Sequence, residues 1–581
     1  MLHNRRSKTP REPSARQFPG VIVSLRALSV MLLLTACDIE TGSESVDPQP
    51  QPDPASDPDS SSDPDSSENP EWEATYQPGR VVDVAQGTLS GVEQADLRVF
   101  RGVPFAAPPV GSLRLRDPQP ALPWSGPRDA STFGPACPQQ TVALLDVLSE
   151  VDQTDEDCLT LNIWAHDDDV ARPVMVWLHG GAFFYGAGSQ NFYDGTALAD
   201  EGVVMVSINY RLGALGFLVH EDLGADVGNL GAGNFGLKDQ IEALEWVQQN
   251  IAVFGGDPDN VTVFGESAGG ISTCILATTP SAEGRMQKAI VQSSVGCDQL
   301  PEGTQAGSIG GADGALVYGE RMVQSLGCGD VADTLGCLQT LPEQAFLDQV
   351  TAISVLTDYT SPFPTPWVDG SFVPEQPAVA YADGTVDLPM IIGTNEDEST
   401  LFLATQAPLT WFGIADDVGA LVGSDTLADS VLESYPIWQF PLPQDAFLTF
   451  ATDALFSCPS RALAEAASPG APTYLYEFQD IQLTTAALGS HHALELPYLF
   501  DTFERMAMTP INGNRELGQA MRTAWTSFAR TGIPQISGGW PSYGPDGRFL
   551  VLDDAWSTQG NSSYRGGRCE DLEALGVVAL P

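Results

Sequence analysis

The chain has 581 residues, 43% of them hydrophobic, with 26 Lys+Arg against 76 Asp+Glu and a formal net charge of −50. That apolar content supplies a large core and excludes global disorder. Lysine occurs only at Lys8, Lys238 and Lys288, so the chain lacks the basic face a nucleic-acid binder needs to displace counterions from phosphate. Nine cysteines are too sparse for a disulfide mini-scaffold but enough to staple an exported protein. Length alone suggests about three to four domains, unless one is unusually large.

Residues 1–36 hold six bases (Arg5, Arg6, Lys8, Arg11, Arg16, Arg26) and one acid, Glu12. Arg26 is followed by ALSVMLLLTA and then Cys37. A basic region, a short apolar run and small residues form the layout of a secretory signal. The apolar run is about half of the roughly 20 residues a membrane span needs. Leu34-Thr35-Ala36-Cys37 resembles a bacterial lipobox, in which the cysteine is lipidated and becomes the new N-terminus; the other reading is ordinary signal cleavage with Cys37 incidental. Residues 38–70 carry ten acids and no base. They cannot bury apolar surface, which predicts a disordered, self-repelling linker rather than a binding tail. The expected layout is a signal peptide at 1–36, a lipidated Cys37 with its acidic tether at 37–70, and a globular region at 71–581. Such a protein is exported and anchored to the bacterial cell envelope by lipid, on its periplasmic or outer face, without spanning a membrane. The globular part keeps 65 acids against 20 bases, or −45, which suits a solvated surface in salty or crowded surroundings.

From residue 71 onward no second linker interrupts the composition. Residues 174–178 (VMVWL) and 203–208 (VVMVSI) are β-branched runs that suit buried parallel strands. Residues 234–250 place Leu237, Ile241, Leu244 and Val247 at helical spacing, with Asn234 as the expected N-cap. Residues 261–264 form a further strand and 268–277 a helix. Residues 389–392 and 473–478 are strand candidates, and 517–530 a helix. Strands alternating with helices predict an open α/β sheet covered on both faces, with chemistry outside the carboxyl ends of the strands.

One such end reads Gly265-Glu266-Ser267-Ala268-Gly269, a single occurrence of Gly-x-Ser-x-Gly in the chain. Between a strand and a helix, small flanking residues allow a tight turn that exposes the serine hydroxyl at a helix N-terminus, where the dipole favours developing negative charge. A glycine-lined packing turn is the bland alternative. A nucleophilic serine needs a base, usually histidine, and the chain has six histidines. His3 lies in the leader. His179 opens His179-Gly180-Gly181-Ala182-Phe183, whose glycines point to backbone N–H donors rather than to a base. His166 and His220 are expected to play polar surface roles. His491 and His492 remain as candidates, and adjacent residues cannot both face one serine. The acid between serine and histidine is offered by Glu396, Asp397 and Glu398 after the strand at 389–392, and spacing does not choose among them.

Taken together, these runs resemble the type-B carboxylesterase/lipase family, the cholinesterase relatives. The resemblance is carried by FRGVPFAAPPVG at 100–111, EDCLTLNIW at 156–164, NYRLG at 209–213, GNFGLKDQ at 233–240 and FGGDP at 254–258 leading into the Ser267 turn. Trp525, Phe528, Gly532 and Trp540-Pro541 match a C-terminal run. It covers about residues 79–570 and implies an α/β-hydrolase fold: one large, mostly parallel central sheet with helices on both faces.

The resemblance assigns Ser267 as nucleophile. It assigns Glu398 as triad acid, since Asn395-Glu-Asp-Glu matches Asn-x-Asp-Glu, and His492 as base, since His492 and Glu495 match His-x-x-Glu. It implies an oxyanion hole from the N–H groups of Gly181, Ala182 and Ala268, and a modulating role for Glu266. Ala182 stands where many members have glycine, and its methyl narrows the approach. The family's three disulfides fall on Cys137–Cys158, Cys328–Cys337 and Cys458–Cys569. With Cys37 lipidated, Cys274 and Cys297 are left as a fourth pair or, the expected state, as buried thiols. Residues 138–157 contain no aromatic residue, against a choline-specific enzyme. Pro362-Phe363-Pro364 either lines an acyl pocket or serves packing. The implied activity is hydrolysis of small to medium carboxylic esters through an acyl-enzyme intermediate, without cofactor or metal; the rival is a non-catalytic surface binding or adhesion protein of the same family. Oligomeric state is not legible.

Overall fold

Runs that are apolar on both faces can be buried only inside a covered parallel sheet, and the sequence supplies several. In the computed structural model the described residues are 72–578, apart from 142–150, 152, 225–232, 296, 298–299, 303–313, 350–363, 404–412, 481–487 and 506–512. All of them belong to one compact unit, Pro70–Pro581. Cys37, the leader and the tether lie outside the described residues, as do Pro362 and Phe363.

In chain order the strands are β1 (Val81–Val84), β2 (Gly87–Ser90), β3 (Val92–Gln94), β4 (Leu97–Pro104), β5 (Arg128–Asp129), β6 (Thr160–His166), β7 (Arg172–Leu178), β8 (Val204–Ile208), β9 (Gly256–Glu266), β10 (Lys288–Gln292), β11 (Met390–Asn395), β12 (Thr473–Phe478), β13 (Phe549–Leu552) and β14 (Ser557–Gln559). The large sheet runs β14-β13-β12-β11-β10-β9-β7-β8-β6-β4-β3, and β1, β2 and β5 form a small second sheet. The neighbours from β8 through β7, β9, β10, β11 and β12 to β13 pair in parallel. Antiparallel pairs flank them on both edges. This is the α/β-hydrolase architecture anticipated above.

The central strands are buried along almost their whole length. Trp177, Phe264, Tyr193 and Phe500 pack against one another at ring separations of 4.8–6.3 Å. Two strands outrun their sequence signals. β9 begins at Gly256, five residues before the β-branched run, because Arg172 pairs with Gly256 across the sheet; Gly-Asp-Pro-Asp-Asn has no strand propensity of its own. β11 likewise continues to Asn395, pairing through to Phe478.

Helices α1 (Phe235–Asn250), α2 (Ala268–Leu276), α3 (Pro443–Thr452), α4 (Cys458–Ala467) and α5 (Arg515–Thr531) include the three expected from periodicity. Asn234 is not the side-chain cap expected of it. Its backbone is left-handed, with φ 54°, and its amide instead donates to the Trp367 carbonyl and to Asp369. A distant loop competes for that side chain and wins.

Candidate active site

Parallel strands align their carboxyl ends, and four loops that carry sequence candidates leave the sheet there. They follow β7 (His179 onward), β9 (Ser267), β11 (Glu396–Glu398) and β12 (the segment with His492). Register holds them level: Gly265 pairs with Leu178, Glu266 with Gln292, Gln292 with Gly393, and Gly393 with Tyr476.

Ser267 sits between β9 and α2 with φ 56° and ψ −121°. Such a backbone is costly for a side-chain-bearing residue and persists only where its surroundings enforce it. Here the Ser267 N–H donates to the Gln292 carbonyl at 2.9 Å, and the Ser267 carbonyl accepts from Ile271 N–H at 2.9 Å. Gly269 makes the turn possible, because a Cβ there would lie 1.9 Å from the Leu178 carbonyl oxygen.

Across the turn, Gly181 has φ 109° and Ala182 φ 50°. A Cβ on Gly181 would meet the Tyr185 carbonyl oxygen at 2.1 Å. The N–H groups of Gly181, Ala182 and Ala268 donate to no protein acceptor among the described residues, so they are free to receive an oxyanion. A Cβ built on neighbouring Gly180 would lie 2.7 Å from Glu266 Oε2 and 3.1 Å from Ser267 Cβ, which brings the glycine loop against the serine turn. His179 is not a base in this arrangement. Burial pushes its imidazole down to about 4, and the ring stacks on Tyr210 at 4.3 Å. The Tyr210 hydroxyl donates to the His179 carbonyl, fixing the start of the loop.

Of the two adjacent histidines, His492 faces the carboxylates. Its Nδ1 lies 2.6 Å from Glu398 Oε2, and its Nε2 is 2.9 Å from Glu266 Oε1, on the residue before Ser267. The second contact lacks hydrogen-bond alignment and is an ion-pair approach. Burial opposes charge on His492, but Glu266 and Glu398 outweigh it and hold the imidazole well above its usual pKa. His491 folds back, its Nδ1 2.7 Å from the His492 carbonyl, and burial lowers its pKa.

Among the three consecutive acids, Glu398 meets the imidazole. It is fully buried, and its Oε1 accepts from the Asn395 N–H at 2.7 Å. Asp397 turns away to accept from Ser490 N–H at 3.0 Å. Glu396 is half-buried and pushed up to about 7 by burial, with Asp397 and Glu477 adding to the rise.

Three residues brace the site: Asn395 and Glu495, which entered the sequence reading only as motif positions, and Gln292, which did not enter it. Asn395 Nδ2 donates to the His491 carbonyl at 2.8 Å and to Glu495 Oε2 at 2.7 Å. Gln292 Nε2 donates to Glu495 Oε1 at 3.1 Å, while its Oε1 accepts from the Trp525 indole. An indole N–H can only donate, so it fixes which way the Gln292 amide points. Gln292 thus ties the serine turn, through its carbonyl, to the histidine loop, through Glu495. Burial, then Glu266 and Glu398, push Glu495 up to about 8, so it is the member of the group that holds a proton at neutral pH. The His-x-x-Glu spacing pointed to Glu495. Nothing in the sequence pointed to Gln292.

The three disulfides implied by the resemblance are present, at Cys137–Cys158, Cys328–Cys337 and Cys458–Cys569. The expectation of buried thiols at Cys274 and Cys297 is overturned, because the two are bonded to each other. α2 carries Cys274 beside the segment leaving β10, and both residues are buried, so proximity in the fold made a pair that spacing did not disclose. His220 also departs from its expected surface role. It is buried, accepts from the Asp222 N–H, and contacts Glu320 at 3.0 Å. His166 is half-buried, its Nε2 3.1 Å from the Ala199 carbonyl.

The profile described as the carboxylesterase family matches residues 78–565. Para-nitrobenzyl esterase of Bacillus subtilis (strain 168) is 36% identical over 486 residues, covering 82% of this chain and 95% of that protein. Fumonisin B1 esterase of Sphingopyxis macrogoltabida is 33% identical, covering 82% and 87%. A solved structure of PNB esterase superposes with a TM-score of 0.74 at 33% identity, over 85% of this chain and 99% of its own. The match spans the sheet and all four loops at its carboxyl edge, and this chain belongs to the carboxylesterase family.

Proposed function

We propose that this carboxylesterase works through a Ser267–His492–Glu398 triad on small to medium carboxylic esters. The observation that carries the reading is the 2.6 Å contact between His492 Nδ1 and Glu398 Oε2, with Nε2 2.9 Å from Oε1 of Glu266, the residue before Ser267. His492 takes the proton of Ser267 as the hydroxyl oxygen attacks the ester carbonyl. Glu398 accepts from Nδ1–H, fixing the tautomer and stabilising the imidazolium. The N–H groups of Gly181, Ala182 and Ala268 receive the oxyanion, where a single donor can contribute about 3 kcal/mol. His492 returns the proton to the departing alcohol, water then attacks the acyl-enzyme by the same route, and the carboxylic acid leaves. Glu266 modulates the site by competing for Nε2: the imidazolium rests against its carboxylate, and the neutral base forms when that proton is lost.

The test is hydrolysis of p-nitrophenyl esters of graded chain length by the protein and by Ser267→Ala. The substitution is expected to lower kcat by about 10⁵-fold or more; equal activity of the two would remove Ser267 from the mechanism. The relatives named above are a para-nitrobenzyl esterase and a fumonisin B1 esterase, so chain-length preference is the quantity to measure first.

We further propose export and lipid anchoring through Cys37, which rests on the basic leader, the short apolar run and the lipobox-like Leu34–Cys37. Cys37→Ser is expected to release the protein from the membrane fraction. Retention of the variant there would rule out the lipid anchor.

A further inference from the structure

We propose that Arg565 is a positioning residue for the reaction: its guanidinium clamps the Glu396–Glu398 loop to the turn that packs on His492, and so keeps acid and base aligned. The proposal rests on the triad reading above.

Arg565 lies after β14 with a left-handed backbone, φ 48°, and its side chain is 5% exposed. Nη1 donates to the Glu396 carbonyl at 3.0 Å and to Glu477 Oε1 on β12 at 3.1 Å, while Nε pairs with Asp453 Oδ1. Asp453 is fully buried and also accepts from Arg568 Nε at 2.6 Å and from the Tyr435 hydroxyl at 2.8 Å. It opens a π-helical turn, Asp453–Ser457, a form that is rare and frequent at functional sites. Phe456 on that turn packs 5.2 Å from the His492 ring, and Phe402, just beyond the acid loop, packs 4.8 Å from it.

The loop is gripped on both sides of Glu398. Arg565 takes the Glu396 carbonyl, and Thr452, the neighbour of Asp453, accepts from the Ser399 N–H at 3.1 Å. A purely structural ion pair would need neither the contact to the loop backbone nor the aromatic contact to the base. The Cys458–Cys569 disulfide joins the residue after the π-turn to a residue four beyond Arg565, holding the two halves of the clamp together.

The charge balance points the same way. Glu396, Asp397, Glu398, Asp453 and Glu477 crowd this end of the sheet, and Glu266 adds to it from the serine side. His491 is neutral, and the Tyr435 and Tyr564 hydroxyls are held in their neutral forms by burial and nearby carboxylates. Besides His492 itself, Arg565 and Arg568 are cations set against these acids, and both oppose the rise at Glu396. Removing Arg565 leaves more uncompensated negative charge near His492. That favours the imidazolium and moves the acid limb of activity to higher pH.

The experiment compares the full chain with Arg565→Gln and Arg565→Lys on p-nitrophenyl butyrate. Intact sites are counted by a p-nitrophenyl phosphonate that phosphonylates the nucleophilic serine and releases one p-nitrophenol. Misplacement of a catalytic group by about 1 Å can cost about 10²-fold, so kcat per labelled serine is expected to fall by about that factor in the glutamine variant. KM should stay within about threefold, because a transition-state interaction is what is lost, and the acid limb should move upward. Lysine keeps the charge but cannot span both carboxylates and the carbonyl. Its acid limb stays in place while kcat per labelled serine drops by about tenfold, a fraction of the loss expected from such misplacement. Wild-type turnover per labelled serine in the glutamine variant, with only a lower Tm, overturns the proposal. If that variant does not fold, the lysine variant decides by the same measure. Failure of the triad itself looks different: the unmodified protein would not be labelled at Ser267, or Ser267→Ala would remain active.

Discussion

On the β7–β9 side of the site the backbone does the shaping. Ser267 and Ala182 take positive φ, and Gly181 and Gly269 stand where no Cβ fits. On the β11–β12 side the shaping is electrostatic, with buried carboxyl groups at Glu398, Glu495 and Asp453 held by Asn395, Gln292 and Arg565. The first side tolerates no added volume, and the second tolerates no uncompensated charge. Gln292 joins the two, accepting from Ser267 with its main chain and donating to Glu495 with its side chain.

The sharpest way to break the electrostatic side is Glu398→Gln, which keeps the shape and removes the charge. It is expected to lower kcat by about 10⁴-fold with KM little changed, measured by steady-state p-nitrophenyl ester hydrolysis. Each side also carries its own disulfide, and loop length separates their contributions. Cys458–Cys569 closes 111 residues and Cys274–Cys297 closes 23, so chain-entropy reasoning gives losses of about 5 and about 3 kcal/mol for the paired Cys→Ala variants. Denaturant midpoints should fall in that order. On the steric side, Gly269→Ala must push the serine turn away from β7. A loss of about 10²-fold in kcat is expected, together with a lower Tm; wild-type kinetics would show that the turn can relax.

The effect confined to a pH window is expected at Glu495. Its folded pKa is about 8 against an ordinary 4.5, so the folded protein retains a proton the unfolded chain has released. Stability from this group is then greatest below about 4.5 and declines as pH rises to about 8. Glu495→Gln has no charge to bury. Its Tm relative to the unmodified protein should therefore rise between pH 5 and 8 and level off above, as read by thermal melts across pH. A difference independent of pH would mean that Glu495 does not take up the proton.

Much of this is legible in the sequence. VMVWL at β7 and the β-branched run at β8 declare buried strands, and Gly-x-Ser-x-Gly between strand and helix marks the serine turn. What was not legible came from partners far away in sequence. Gly256–Asn260 extends β9 because Arg172 is beside it. Asn234 leaves its capping role because Trp367 and Asp369 compete for its amide. His220 is buried and contacts Glu320, 100 residues on, and Cys274 and Cys297 bond because α2 lies beside the segment leaving β10.

The sequence by itself determined which elements form and which residue types stand at the strand ends, because periodicity, turn glycines and short motifs act over a few neighbours. From its residues alone it left His491 beside His492, and Glu396, Asp397 and Glu398 in a row, as equals; only their resemblance to family motifs ranked them. Tertiary structure decided among them physically. In each set one side chain points to the carboxyl edge of the sheet and meets an opposite charge, while its neighbours are turned to backbone or to the Arg565 cluster.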